Sequence, residues 1–267
     1  MSIEPSHCVD IFLACAAAAT RGELIRRASR QDKEFAFQDW FRGRLEELTQ
    51  TGLRYDQRGR NAYPDFILVR PAEGYEVKGL AWPGREATYD ANSQVPTGFH
   101  NGRTIFYVFG RYPAETDENE YPVIDLIVCH GDFLNAHHDY VHRNKSVRGF
   151  GSYGDLMIRD RKMYVAPTPF ALTRNTTGQR TLIVPAEFPA DPRLEPVGRL
   201  VRVESEQLVT GYTFDLTTNE LTATYTPNPF AGREHAFVAY RVAGSGGPPV
   251  TLASTPEAVS ADEETPD

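Results

Sequence analysis

The sequence predicts an α/β protein: two N-terminal helices, a set of apolar strands behind them, and a β-rich C-terminal extension. Three observations carry this. Phe35, Trp40, Phe41, Leu45 and Leu48 recur close to the 3.6-residue helical period. The runs 104–109 and 122–129 are apolar enough for central strands. Beyond residue 180 the pattern changes to short alternating runs, at 181–184, 200–203, 221–225 and 236–240.

In chain order, residues 6–28 read as a first helix, alanine-rich, with Ser6 as its N-cap. A second helix is expected over 31–50, stopped by Gly52. Further strands are expected at 65–69 and 75–80. Residues 130–180 are polar, basic and rich in glycine and aromatics, and 244–267 has the Gly, Pro, Ser and acid content of a disordered tail. This gives a main domain over 1–180, the extension over 181–243 packed on it, and the tail. No internal repeat is visible.

The 267 residues suffice for a sizeable core, and 40% apolar with 24% charged residues is ordinary for a soluble globular protein. No apolar run reaches membrane-spanning length, and Glu4 and Asp10 stand where a secretory signal would be basic. Cys8, Cys15 and Cys129 form neither a disulfide framework nor a zinc knuckle, so a reducing cytoplasm is the expected compartment. The net charge of −8 argues against a polynucleotide partner at first sight. Its distribution weakens that objection. The five acids of the tail account for most of it, leaving −3, and between Asp132 and Arg180 eight basic residues face four acids.

Asp65 opens one expected strand, and Glu76 and Lys78 lie in the next. Their spacing of two puts the Glu76 and Lys78 side chains on one face. Carboxylates can hold a hard divalent cation through oxygen, and an ammonium beside them can meet a phosphate and orient water. The same residues would also fit a solvated strand end bearing a surface ion pair. Glu34 and Gln38 share a face of the second helix at i and i+4, though an acid in a first helical turn is also favoured by the helix dipole.

Pro64-Asp65 opening an apolar strand, a five-residue turn over Arg70 to Gly74, then Glu76-Val77-Lys78 in the next strand, with an amphipathic helix before them, resembles the PD-(D/E)xK nuclease superfamily over roughly residues 31–130. The resemblance implies a restriction-endonuclease-like core, a central mixed sheet flanked by helices. It also implies Mg²⁺ held by Asp65, Glu76 and the backbone carbonyl of Val77. Lys78 would be catalytic, and Glu34 would support the metal site. The following Asp90-Ala91-Asn92-Ser93-Gln94-Val95-Pro96-Thr97-Gly98 is similar to an arrangement found in several restriction endonucleases. That likeness puts Asn92, Ser93, Gln94 and His100 near the metal or the DNA backbone, although Pro96-Thr97-Gly98 is also simply a turn. Gln38 joins the candidate DNA contacts.

Arg143, Asn144, Lys145, Arg148, Ser152, Tyr153, Arg159 and Arg161 are the candidate recognition residues, since Arg and Lys meet guanine or phosphate and Asn reads adenine. A solvated basic loop would look alike. His137, His138 and His142 invite a zinc reading that no cysteine pair or HExxH helix supports. No phosphate-binding GxxxxGK[ST] loop, GxGxxG turn or GxSxG elbow is present. The expected function is a Mg²⁺-dependent type II restriction endonuclease acting on double-stranded DNA as a homodimer, with a companion DNA methyltransferase. The alternatives are a modification-dependent, repair or junction nuclease on the same core, a non-catalytic DNA-binding protein, or an interaction protein in which the pattern is accidental.

Overall fold

The computed structural model describes residues 6–26, 33–57, 62–84, 87–91, 95–114, 119–136, 138, 152–153, 157–160, 163–218 and 220–253. The chain is α+β, with few helices and one large mixed sheet. Nine strands build that sheet: β1 (Tyr55–Gln57), β2 (Phe66–Leu68), β3 (Glu73–Trp82), β4 (Phe99–His100), β5 (Arg103–Pro113), β6 (Asp125–His130), β7 (Arg180–Pro185), β8 (Leu194–Val203) and β9 (Glu234–Val242). Their order is β8-β9-β7-β6-β5-β3-β2-β1, with the short β4 also paired to β5. Strands β3 and β5 run parallel, as do β6 and β7; the other neighbours are antiparallel. Three strands of the segment 181–243 therefore belong to the same sheet as the strands before residue 130.

Two helices cover one face. α1 (Cys8–Thr20) buries Cys8, Ile11, Phe12 and Cys15 against the sheet. The first helix is shorter than the expected 6–28. Gly22 adopts φ +74°, and the Glu23 N–H donates to the Ala18 carbonyl at 3.0 Å, a left-handed helix stop that the alanine-rich run concealed. The chain then turns into a short strand, Leu24–Arg26, paired with Glu120–Pro122. The Ser6 hydroxyl accepts from the Cys8 N–H at 3.1 Å, while His7 occupies the N-cap position.

α2 (Lys33–Thr49) is held in place by shape. Gly79 and Gly110 are register partners on β3 and β5, and a Cβ on either would collide with Phe37, at 2.9 and 2.2 Å respectively. The two glycines leave a bare patch of sheet into which the Phe37 ring drops. Phe41, Leu45, Tyr75, Val77, Phe106, Val108, Leu126 and Val128 continue this core.

Alternation sends the other residues of the same strands to the opposite face. Leu80, Ile105, Tyr107, Phe109, Ile127, Cys129 and Ile183 pack there with Tyr89, Tyr164, Phe133 and Phe237. That face is covered by strands and loops. A three-stranded sheet of Met157–Asp160, Met163–Pro167 and Thr88–Asp90 lies apart from the main sheet, as does a hairpin of Gln207–Asp215 and Glu220–Pro227. Residues 244–253, which the composition places in a disordered tail, are part of the fold. Val250 is buried and its N–H donates to the Val197 carbonyl, and Thr251–Leu252 pairs with Thr173–Arg174. Arg111 and Asp125, both buried, form a bidentate ion pair between β5 and β6, with the guanidinium against the Trp82 and Phe170 rings. Among the described residues no helix is long and apolar enough to cross a membrane.

Candidate active site

Strand β3 builds the site by alternation. Tyr75 and Val77 enter the core beneath the helices, so Glu76 and Lys78 point the other way, together. Lys78 Nζ lies 2.9 Å from Glu76 Oε1, and the two side chains are only 13% and 12% exposed. The expected alternative of a solvated surface pair does not hold: this pair is largely withdrawn from water. Asp65, just ahead of β2, reaches across the antiparallel β2–β3 ladder, and its Oδ2 accepts from the Val77 N–H at 2.8 Å. The backbone between Glu76 and Lys78 is thereby tied to the second carboxylate.

The second Glu76 oxygen, Oε2, is buried and has no hydrogen-bond partner among the described residues. Leaving such an oxygen unmatched costs about 1–3 kcal/mol, which a bound cation would recover. Asp65, Glu76 and the Val77 carbonyl would offer an all-oxygen donor set suited to a hard divalent ion. The residues present fit Mg²⁺.

Tyr63 and Tyr107 complete the wall, and sequence reasoning missed both. Tyr107 is the register partner of Glu76 on β5, and its hydroxyl lies 2.7 Å from that of Tyr63. Burial pushes both phenols far above their ordinary range. The nearby Glu76 charge adds to this for both, and the Asp65 charge for Tyr63. Both hydroxyls therefore stay protonated beside two carboxylates, as hydrogen-bond donors. The signal for Tyr107 was its place in the alternation, on the same face as Glu76. For Tyr63 it was adjacency to Pro64-Asp65.

His100 joins this group. Its ring meets Tyr63 edge-on at 5.1 Å, and its Nε2 lies 2.9 Å from Asn101 Nδ2. The residues before it are anchored from beneath: Asp132 Oδ1 accepts from the Gly98 N–H at 3.1 Å, and Asn135 Nδ2 donates to the Pro96 carbonyl at 2.8 Å. The 95–98 turn is thus buried structure as well as a turn.

Other candidates fall elsewhere. Glu34 lies in α2, which packs on the opposite face of the sheet from Glu76 and Lys78, and its side chain is outside the described set. Gln38 is half-buried on the same helix and is not brought to the carboxylates. Ser152 is fully buried, its hydroxyl accepting from the Ala136 N–H and its own N–H donating to Asn135 Oδ1, each at 2.8 Å. It is a structural clasp with no surface for DNA, which corrects its assignment as a contact. Tyr153 donates its hydroxyl to the Asp132 carbonyl, and Arg202 stacks on its ring at 4.0 Å. Asn92, Ser93, Gln94, Arg143, Asn144, Lys145, Arg148 and Arg161 lie outside the described residues, as does the side chain of Arg159.

No protein-family model matches the chain, and no match is found among curated proteins or solved structures.

Proposed function

We propose that this protein is a Mg²⁺-dependent endonuclease that hydrolyses phosphodiester bonds in double-stranded DNA at a specific sequence, a type II restriction endonuclease on a restriction-endonuclease-like core. The observation that carries this reading is the buried Glu76 Oε2, without a partner among the described residues, beside the Glu76–Lys78 pair, with Asp65 fastened to the intervening Val77. A stabilising ion pair needs no orphan oxygen. A cation-binding carboxylate does.

In this reading Asp65, Glu76 and the Val77 carbonyl hold the ion. When bound, it supplies positive charge against the developing negative charge on the phosphate. Lys78 orients the attacking water and faces the phosphate with its ammonium. The Tyr63 and Tyr107 hydroxyls, bonded to each other and kept protonated by burial, wall the carboxylates on one side and limit the entry of bulk water. Roles are assigned without Glu34, since its helix serves the other face.

If both strands of a palindrome are cut together, two-fold symmetry predicts a homodimer as the active species. A host encoding it needs a companion DNA methyltransferase to protect its own sites. In the test, Lys78→Ala loses Mg²⁺-dependent cleavage of phage DNA and retains DNA binding in calcium. Undiminished cleavage by the purified variant overturns the assignment. Fragments only from methylated or branched DNA would move the substrate to a modified or junction form while keeping the chemistry.

A further inference from the structure

A second polar cluster lies away from Asp65, Glu76 and Lys78, and nothing in the nuclease reading uses it. His138, Glu204 and His235 bring one donor atom each to within 4.8 Å of one another. His138 Nε2 lies 2.6 Å and His235 Nε2 2.7 Å from the same oxygen, Glu204 Oε1. The three residues come from three separate segments. Glu204 follows the end of β8, His235 lies in β9 opposite Arg202, and His138 follows the 3₁₀ turn Gly131–Phe133.

We infer that His138, Glu204 and His235 form a zinc-class transition-metal site. Two imidazoles with one carboxylate are a borderline donor set that suits Zn²⁺ and its neighbours, and they do not suit Mg²⁺. The Glu204 side chain is fully buried, and its second oxygen is already held by Asn228 Nδ2 at 3.1 Å. That bond leaves Oε1 aimed at the two histidines, which is how an outer partner orients a ligating carboxylate. Both rings are held too. His138 stacks flat on Phe230, with centroids 3.9 Å apart, and His235 meets Tyr153 edge-on at 5.8 Å. Phe230 is in turn fixed by its N–H bond to Asn228 Oδ1 at 2.9 Å.

Zinc ligands at about 2.0–2.1 Å in tetrahedral array stand roughly 3.3 Å apart. To admit the ion, each nitrogen moves from Oε1 by less than about 1 Å, and the two nitrogens, within 4.8 Å of each other, settle to the same spacing. Without metal, both imidazoles must donate to a single oxygen. With metal, all three groups would donate lone pairs to one centre.

The position explains what the ion would do. Ala136 and Ser152 are bonded to each other at the ends of the segment between them, and the Ser205 N–H donates to the Ser152 carbonyl at 2.8 Å. Glu204 is the neighbour of Ser205, so a metal here would pin the root of the 137–151 segment to the β8–β9 edge of the sheet. That segment carries Arg143, Asn144, Lys145 and Arg148. The site is structural and independent of the proposed cleavage chemistry.

The test uses the full-length chain, free of any affinity tag, stripped with chelator and titrated with Co²⁺. The expected result is one Co²⁺ per chain with the visible bands of a low-coordinate ion, displaced by Zn²⁺ and untouched by excess Mg²⁺. His235→Gln and His138→Gln, checked as folded by circular dichroism, should lose the bands, while Glu76→Gln should keep them. Asn228→Ala should weaken binding by about 10- to 100-fold. Absence of saturable uptake by the wild-type chain overturns the proposal, as does uptake that survives in His235→Gln. Loss of the bands in Glu76→Gln would also overturn it, by moving the ion to the other carboxylates.

Discussion

Glu73 and Glu76 stand three residues apart on one strand, both buried, and the sheet's alternation sends them to opposite faces. On the helix side, both oxygens of Glu73 are satisfied: Ser6 Oγ donates to one at 2.5 Å and the Tyr75 hydroxyl to the other at 2.8 Å. On the far side, Glu76 shares one oxygen with Lys78 and leaves the other without a partner among the described residues. Protein interiors rarely leave a buried acceptor unmatched. On the proposed reading, a carboxylate whose oxygens are all used is part of the architecture, and the oxygen that Glu76 holds in reserve receives the cation.

The comparison can be broken most severely by Glu76→Gln. That change should lower Mg²⁺-dependent cleavage by about 10³-fold or more, because the cation loses a charged ligand. The melting temperature should stay near that of the wild type. A collapse in stability with proportionate activity would make Glu76 architectural after all.

The reciprocal change is Glu73→Ala. It strands the donors of Ser6 and buried Tyr75, and should cost about 2–3 kcal/mol in denaturant unfolding. Cleavage per folded molecule should be kept. If activity vanished while stability held, the two carboxylates would have exchanged roles.

A smaller effect separates the two by ligand. Mg²⁺ at ten times its dissociation constant should stabilise the native chain by about 1.4 kcal/mol. The thermal shift should disappear in Glu76→Gln and persist in Glu73→Gln. Equal shifts in both variants would put the ion elsewhere.

The last contrast is in pH. Burial holds the Glu73 carboxyl above its ordinary value, outweighing the bonds from Ser6 and Tyr75. The folded state thus binds that proton more tightly than the unfolded chain. The associated stability is complete below the ordinary glutamate range and is lost as pH rises through the elevated value. Melting temperatures from about pH 4 to about pH 8 should fall in the wild type relative to Glu73→Gln, and a constant difference between them would refute this.

Much of this was legible from local chemistry. The spacing of Glu76 and Lys78 determines that they share a face, and the apolar runs of β5 and β6 mark central strands. The Phe35-to-Leu48 period marks α2. What stayed hidden depends on distant residues. No linear pattern tells that Phe37 drops onto Gly79 and Gly110, or that Tyr107 stands opposite Glu76. His138 read as one of a local histidine group, yet it meets Glu204, 66 residues away, and through it His235. The alanine-rich pattern does not mark the end of the first helix, because that end is set by the backbone angle of Gly22. Ser152 looked like a polar loop residue, and only the fold reveals that it is buried.

The most direct measurement incubates the purified wild-type chain and Glu76→Gln with phage DNA and Mg²⁺ and resolves the products on a gel. The account predicts discrete, Mg²⁺-dependent fragments from the wild type and intact DNA from the variant. Intact DNA in both lanes, or the same fragments in both, would contradict it.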